Sequence, residues 1–150
     1  MIKVNVEINN KSWHKKIKKP KLYLTKKIKK ITKILKFLKK KNIIFTILLT
    51  NSINMKKLNK KFLNKNKTTD VLSFPFFPEK IIKSKKNFYI GDIAISFEII
   101  NLRSKKNNFS SEFDKVWVHG FLHLLGYDHI KDKDYLKMNR VEKRILNTIQ

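Results

Sequence analysis

Residues 119–129 read His-Gly-Phe-Leu-His-Leu-Leu-Gly-Tyr-Asp-His, and three of the chain's four histidines and two of its three glycines fall inside this one stretch. His119 and His123 are four residues apart, so on a helix both imidazoles leave the same face about one turn from each other. Two ring nitrogens so placed can reach one ion at about 2.0–2.1 Å. Gly126 can adopt the left-handed conformation that ends a helix, and a turn through Tyr127 and Asp128 then returns His129 as a third ligand. Three protein ligands leave the fourth tetrahedral position to water, the arrangement of a catalytic rather than a structural zinc site. The competing reading is an ordinary helix and turn with core or solvated histidines. It suits a lone histidine such as His14, which has no such context and is read as incidental, but not the full HxxxHxxGxxH pattern.

The same spacing occurs in HExxHxxGxxH, the signature of metzincin metalloproteases, in which the glutamate is the general base. Here Gly120 stands in that position. Peptide hydrolysis by that route is therefore disfavoured, whereas hydrolysis of another bond stays open, because zinc can lower the pKa of bound water to about 7. Asp128, the nearest carboxylate in sequence, could orient a histidine or the water, or could simply stabilise the turn. An all-imidazole set suits zinc and is also a set that nickel, copper or iron can use.

Downstream of the block, Asp132 to Ile149 reads as a helix with Tyr135, Met138, Val141, Ile145 and Ile149 on its apolar side. Upstream, Ser110 or Ser111 is placed to open the helix carrying Phe113, Val116, Trp117, Phe121 and Leu124, and Ser96 to cap a shorter one reaching about Ser104. Phe88 to Phe97 reads as a strand with Gly91 as a bulge or close backbone approach, and Val71 to Phe77 as a strand whose Pro75 points to a sheet edge. The lysine-rich Pro78 to Asn87 joins them as a loop. Ile43 to Leu49 is a continuous apolar run suited to a central strand covered on both faces. After it, Ser52 or Asn54 caps a short helix bearing Met55, Leu58, Phe62 and Leu63, and Asn64 to Thr69 is a polar loop. Within Leu22 to Lys41, the residues Leu24, Ile28, Ile31, Leu35 and Leu38 form one helical stripe on an otherwise lysine-rich surface. Ile2, Val4, Val6 and Ile8 alternate as in a half-buried strand, and Lys11 to Lys19 is a polar connection closed by Pro20. With no repeat and no internal boundary, this order predicts a single α+β domain over residues 1–150. It would be a small mixed sheet of about four strands packed with about five helices, the metal site lying at a helix end and the following turn.

Composition narrows the setting. An apolar fraction of 41% in 150 residues supports one core. The absence of cysteine excludes disulfides and thiolate metal sites. MIKVNVEINN lacks the apolar region of a secretory signal, and Ile43 to Leu49, broken by Thr46, is far too short to span a bilayer. The expectation is a soluble cytoplasmic protein with no membrane partner. The lysine face of the Leu22–Lys41 helix would also suit an anionic membrane surface, but a core-packed helix with a solvated face needs nothing further. A net charge of +25 fits an RNA partner, since clustered cations neutralise phosphates and release counterions. Yet of 36 Lys and Arg only Arg103, Arg140 and Arg144 are arginine. Lys, Asn and Ile share A/T-rich codons, so mutational bias supplies the same excess, and a phosphate site would often prefer the bidentate guanidinium. The charge permits RNA without establishing it.

Three segments, Thr69-Asp70-Val71-Leu72-Ser73-Phe74-Pro75, Ile90-Gly91-Asp92-Ile93 and the 119–129 block continued by Asp132, Met138 and Glu142, resemble the YbeY-type endoribonucleases, which act in ribosomal RNA maturation. The likeness covers roughly residues 43–149, and the Gly-Tyr-Asp-His ending is its most specific part. The resemblance implies that His119, His123 and His129 are zinc ligands for one zinc ion per chain. It further implies an α+β fold, a cytoplasmic location, and work in small-subunit RNA maturation and ribosome quality control. One departure stands out. The family carries an arginine shortly before the Thr-Asp-Val segment, thought to contact substrate phosphate, and that position here is Leu63. Lys60, Lys61 or Lys65 could stand in as point charges without the bidentate geometry. The family's proline before the threonine is Thr68 here.

The expected activity is zinc-dependent cleavage of single-stranded RNA, the metal polarising a phosphoryl oxygen or activating water, with a cationic groove tracking the backbone. Water and the RNA's own 2′-hydroxyl both remain possible nucleophiles. Beyond the metal-bound water no catalytic group is assigned, and no substrate-binding residue is named. Asp70, Ser73 and Asp92 are candidates to border the cleft, Asp70 and Ser73 being equally suited as turn and strand-end residues, and none is given a catalytic role. Two rivals are a non-catalytic ribosome-assembly factor that keeps zinc for stability and binds RNA by charge, and a zinc hydrolase acting on a small molecule. The oligomeric state stays open.

Overall fold

The computed structural model describes residues 1–76 and 87–150. Its strands are β1 (Ile2–Ile8), β2 (Asn42–Thr50), β3 (Val71–Pro75) and β4 (Asn87–Ser96). The helices among the described residues are α1 (Ser12–Lys16), α2 (Pro20–Ile34), α3 (Ser52–Leu63), α4 (Phe97–Arg103), α5 (Phe109–Leu124) and α6 (Asp132–Ile149). The strands form one mixed sheet in the order β1-β2-β4-β3, with β3 antiparallel to β4 and the other pairs parallel. The α+β expectation holds, with one helix more than the sequence announced. The proposed strand end at Phe77 and the loop from Pro78 to Lys86 lie outside the described residues, and Asn87 already belongs to β4.

The additional helix is α1, inside the stretch read as a polar connection. Trp13 is its single buried residue. The indole N–H donates to the Thr50 carbonyl at 3.0 Å, and the ring packs edge-on against Phe97 and Phe109. α2 opens with Pro20 in its first turn, where a missing N–H costs nothing, and ends at Ile34 rather than Lys41. The buried stripe nevertheless continues through Leu35 and Leu38, the latter on a short 3₁₀ turn (Lys36–Leu38). Both cap assignments shift. Asn51, not Ser52 or Asn54, caps α3 by accepting from the Asn54 N–H, and Asn108, not Ser110 or Ser111, caps α5 by accepting from the Ser111 N–H. Ser96 precedes α4 but makes no cap bond with its side chain. On α6, Met138, Ile145 and Ile149 are buried, while Tyr135 in the first turn stands 53% exposed.

β2 is central, but only one of its faces is fully covered. Ile43, Phe45, Ile47 and Leu49 are inaccessible, joined in one core with Leu24, Ile28 and Ile31 of α2, Trp117 and Phe121 of α5, and Met138 and Ile145 of α6. Ile44, Thr46 and Leu48 point the other way and keep some exposure. There α3 covers only part of the sheet, with Met55 packed on Leu72 and Ala94 and with Leu48, Leu58 and Phe74 around them. The continuous apolar run thus marks a central strand, but not one buried on both faces.

Gly91 fulfils both readings made of it. The β2–β4 register shifts between Ile44 and Phe45, and Gly91 takes φ +138° at that bulge. A Cβ there would lie 2.2 Å from the Phe74 carbonyl oxygen, so only glycine lets β3 approach β4 at this point.

Candidate metal centre

The site is built by the end of α5. Gly126, at φ +88°, donates its N–H to the His123 carbonyl, while Tyr127 donates to Leu122, the paired bonds of a left-handed helix terminus. This reversal presents the Tyr127 carbonyl to the His123 ring, whose Nδ1 lies 2.9 Å from it. Asp128 then accepts from the N–H groups of His129 and Ile130, at 2.6 and 3.2 Å. It is a turn-forming aspartate, the second of the two roles open to it, and the turn swings His129 back toward α5. One ligand atom from each of His119, His123 and His129 lies within 4.8 Å of the others. Ring centroids are 4.7, 4.8 and 5.6 Å apart.

The hydrogen bonds fix which nitrogens face inward. A carbonyl can only accept, so His123 carries its proton on Nδ1. His119 Nδ1 lies 3.2 Å from Glu142 Oε2 on α6, and this carboxylate likewise draws the proton outward. The two remaining Nε2 atoms face each other at 3.1 Å. Burial first, then the neighbouring His119 and His129, hold the His123 pKa below the ordinary histidine value, so its imidazole favours the neutral state. Two unprotonated lone pairs at this distance repel unless a cation lies between them. Nitrogens bound at 2.0–2.1 Å to a tetrahedral ion would be separated by about 3.4 Å. The donor set and its spacing therefore fit a single metal ion.

Glu142 joins the site although its sequence position alone does not assign it there. It occupies the buried stripe of α6, four residues after Met138 and three before Ile145, where a charge needs a partner. Its side chain is only 21% exposed.

The histidines open into a cleft of about 580 Å³ shared with Leu63, Asp70, Ser73, Pro75, Gly126 and Asp128. Asp70 and Ser73 border it as expected, each with a structural partner. Asp70 accepts from the Val71 N–H and pairs with Arg103 at 2.5 Å, and the Ser73 hydroxyl donates to the Gly120 carbonyl. Asp92 does not border it. Its side chain lies on the opposite face of the sheet, where it accepts from the Tyr89 hydroxyl. Leu63 does line the cleft, whereas Lys60, Lys61 and Lys65 do not. The Thr68 hydroxyl donates to the Ser52 carbonyl, and His14 sits apart on α1 with Nδ1 3.3 Å from the Lys18 carbonyl. Gly120 offers no carboxylate for the protease route. A Cβ at that position would meet Ile93 at 3.0 Å and the Ser73 hydroxyl at 3.1 Å, a tight fit because this side of α5 lies against β3 and β4. No helix among the described residues is long and apolar enough to cross a membrane.

Comparison with known proteins agrees with this geometry. The sequence model described as Endoribonuclease YbeY matches residues 7–150. The chain is 49% identical to the protein named "Endoribonuclease YbeY" of Pelagibacter ubique, over all of this chain and 97% of that one. It is 31% identical to the protein of the same name from Thermodesulfovibrio yellowstonii, over 99% of each. Among solved structures, the solution structure of TM1509 from Thermotoga maritima superposes with a TM-score of 0.64 at 25% identity, covering 99% of this chain and 89% of that one.

Proposed function

Since the chain belongs to the Endoribonuclease YbeY family, we propose that it is a zinc-dependent endoribonuclease, a single cytoplasmic domain that cuts single-stranded RNA in the maturation and quality control of the small ribosomal subunit. One observation carries the metal part of this reading: the Nε2 atoms of His119 and His123 face each other at 3.1 Å, with both Nδ1 atoms engaged elsewhere. His119, His123 and His129 would hold the ion, and zinc suits a set of three imidazoles without thiolate. Bound there, it supplies Lewis acidity toward a phosphoryl oxygen and lowers the pKa of water.

The protein's own contribution is orientation. Glu142 and the Tyr127 carbonyl hold the two helical imidazoles in one tautomer, and the Asp128 turn fixes the third. The cleft's carboxylates, Asp70 and Asp128, are both engaged in hydrogen bonds, so neither is assigned as a general base. The open cleft admits a phosphodiester backbone, and the net charge of +25 draws one in.

Incubation of the purified chain with single-stranded RNA, alongside a chelator-treated sample and His123→Ala, tests the reading. Cleavage should occur with the intact chain, vanish in both controls, and return to the chelated sample on adding zinc. Leu63 in the cleft favours one alternative, a non-catalytic factor that keeps the metal for stability. RNA binding without cleavage in the zinc-replete chain would establish that alternative instead.

A further inference from the structure

The half-covered face of the sheet holds a second cavity, of about 530 Å³, which the metal centre does not use. Its walls are aromatic. Phe62 of α3 packs edge-on against Phe74 at 5.2 Å, and Phe76 against Tyr89 at 5.6 Å. Phe62 and Phe76 are 55% and 62% exposed. The floor is polar. The Tyr89 hydroxyl donates to Asp92 Oδ1 and lies 2.5 Å from the Thr46 hydroxyl, with Glu7 completing the lining. Burial and then the hydrogen bond to Asp92 push the Tyr89 pKa up to about 12, so the hydroxyl remains a donor. The second Asp92 oxygen and the Glu7 carboxylate make no hydrogen bond among the described residues.

This cavity and the metal cleft are neighbours across the sheet edge. Pro75 of the edge strand β3 lines both, and α3 supplies Leu63 to one and Leu58 and Phe62 to the other. The outward side of α3 carries exposed Lys56, Lys57, Lys60 and Lys61, and Lys61 lies over the Phe62 ring. Cations are thus outside, aromatic faces line the walls, and carboxylate acceptors lie within. That order matches a nucleotide, whose phosphate is anionic, whose base has a π face, and whose amino edge donates hydrogen bonds.

We propose that this cavity is a base-binding subsite, taking a nucleobase of the same RNA strand whose backbone passes the histidine centre around the β3 edge. The base stacks on Phe62 and Phe76, and an amino group on it donates to Asp92. The α3 lysines track the intervening phosphates. The inference rests on the RNA reading of the metal cleft and adds to it the substrate's second contact.

The test is binding of the full chain to a short single-stranded 2′-O-methyl oligoribonucleotide, its integrity checked on a gel after each titration, in a series with one abasic residue placed at each position in turn. Fluorescence anisotropy reads the affinity. One abasic position should weaken binding to the wild-type chain by about tenfold. The Phe62→Ala/Phe76→Ala double variant should bind the intact oligomer about tenfold more weakly and be insensitive to that same abasic position. Asp92→Asn, a near-isosteric change that spares the packing, should also blunt the loss at that position. A flat abasic series, or a double variant that binds as tightly as wild type, overturns the proposal and leaves the cavity to a protein partner, while cleavage by the wild-type chain keeps the nuclease reading intact. A wild-type chain that neither binds nor cleaves single-stranded RNA removes both together.

Discussion

At the scale of single residues the histidine centre depends on groups that never touch the ion. Glu142 turns His119 outward at Nδ1, so Glu142→Gln should weaken metal retention by about 10–100-fold, measured by competition with a chromogenic chelator, while thermal stability stays close to wild type. Unchanged retention would mean that helix geometry alone sets the ring. Leu63 lies in the cleft beside the three histidines, and Leu63→Arg would place a bidentate phosphate ligand there. Cleavage of single-stranded RNA should accelerate; an unchanged rate would mean that another residue already makes that contact. The ligands were legible because four-residue spacing on a helix, closed by a glycine, permits few other arrangements. Glu142 was legible in principle, as a charge on the stripe between Met138 and Ile145, but its partner is 23 residues away in sequence. Asp92 was misplaced because β-strand side chains alternate: a residue can be one position from the correct face and yet point away from the site.

Elements were legible in proportion to their length. α6 and α2 repeat their apolar positions over several turns, whereas α1 has five residues and a single buried anchor, so periodicity had nothing to measure. That anchor matters all the same. Trp13→Ala should cost about 3–5 kcal/mol, read by denaturant unfolding, because the indole fills the space among Phe97, Phe109 and Phe113 and satisfies the Thr50 carbonyl. A loss below about 1 kcal/mol, the scale of surface substitutions, would mean that α1 is peripheral. The cap positions slipped by one to three residues because Asn and Ser are equally good caps, and several stood in a row. Asn108→Ala should lower stability by about 1 kcal/mol, while Ser110→Ala should leave it nearly unchanged. Gly91→Ala tests the bulge. Its φ of +138° alone implies a penalty of order 1–3 kcal/mol, and the clash with the Phe74 carbonyl adds to it, so the melting temperature should fall by several degrees.

At the scale of the fold, α2, α5 and α6 seal one sheet face, and among the described residues α3 covers only part of the other. That partial covering was not legible in the sequence, because an unbroken apolar run on β2 looks the same whether its outer residues are buried or only half buried. Charge is the other global property. If the exposed α3 lysines track phosphates, the log–log dependence of RNA affinity on salt should have a slope near −3, about 0.7 for each of four neutralised phosphates on a single strand. A flat salt dependence would make the excess lysine compositional. The proposed chemistry requires His119, His123 and His129 to converge on one ion. The decisive measurement is elemental analysis of the purified chain beside His123→Ala. One zinc per wild-type chain and a small fraction of that in the variant is the expected result; a metal-supplemented wild-type chain with no stoichiometric ion, or equal content in both proteins, would contradict it.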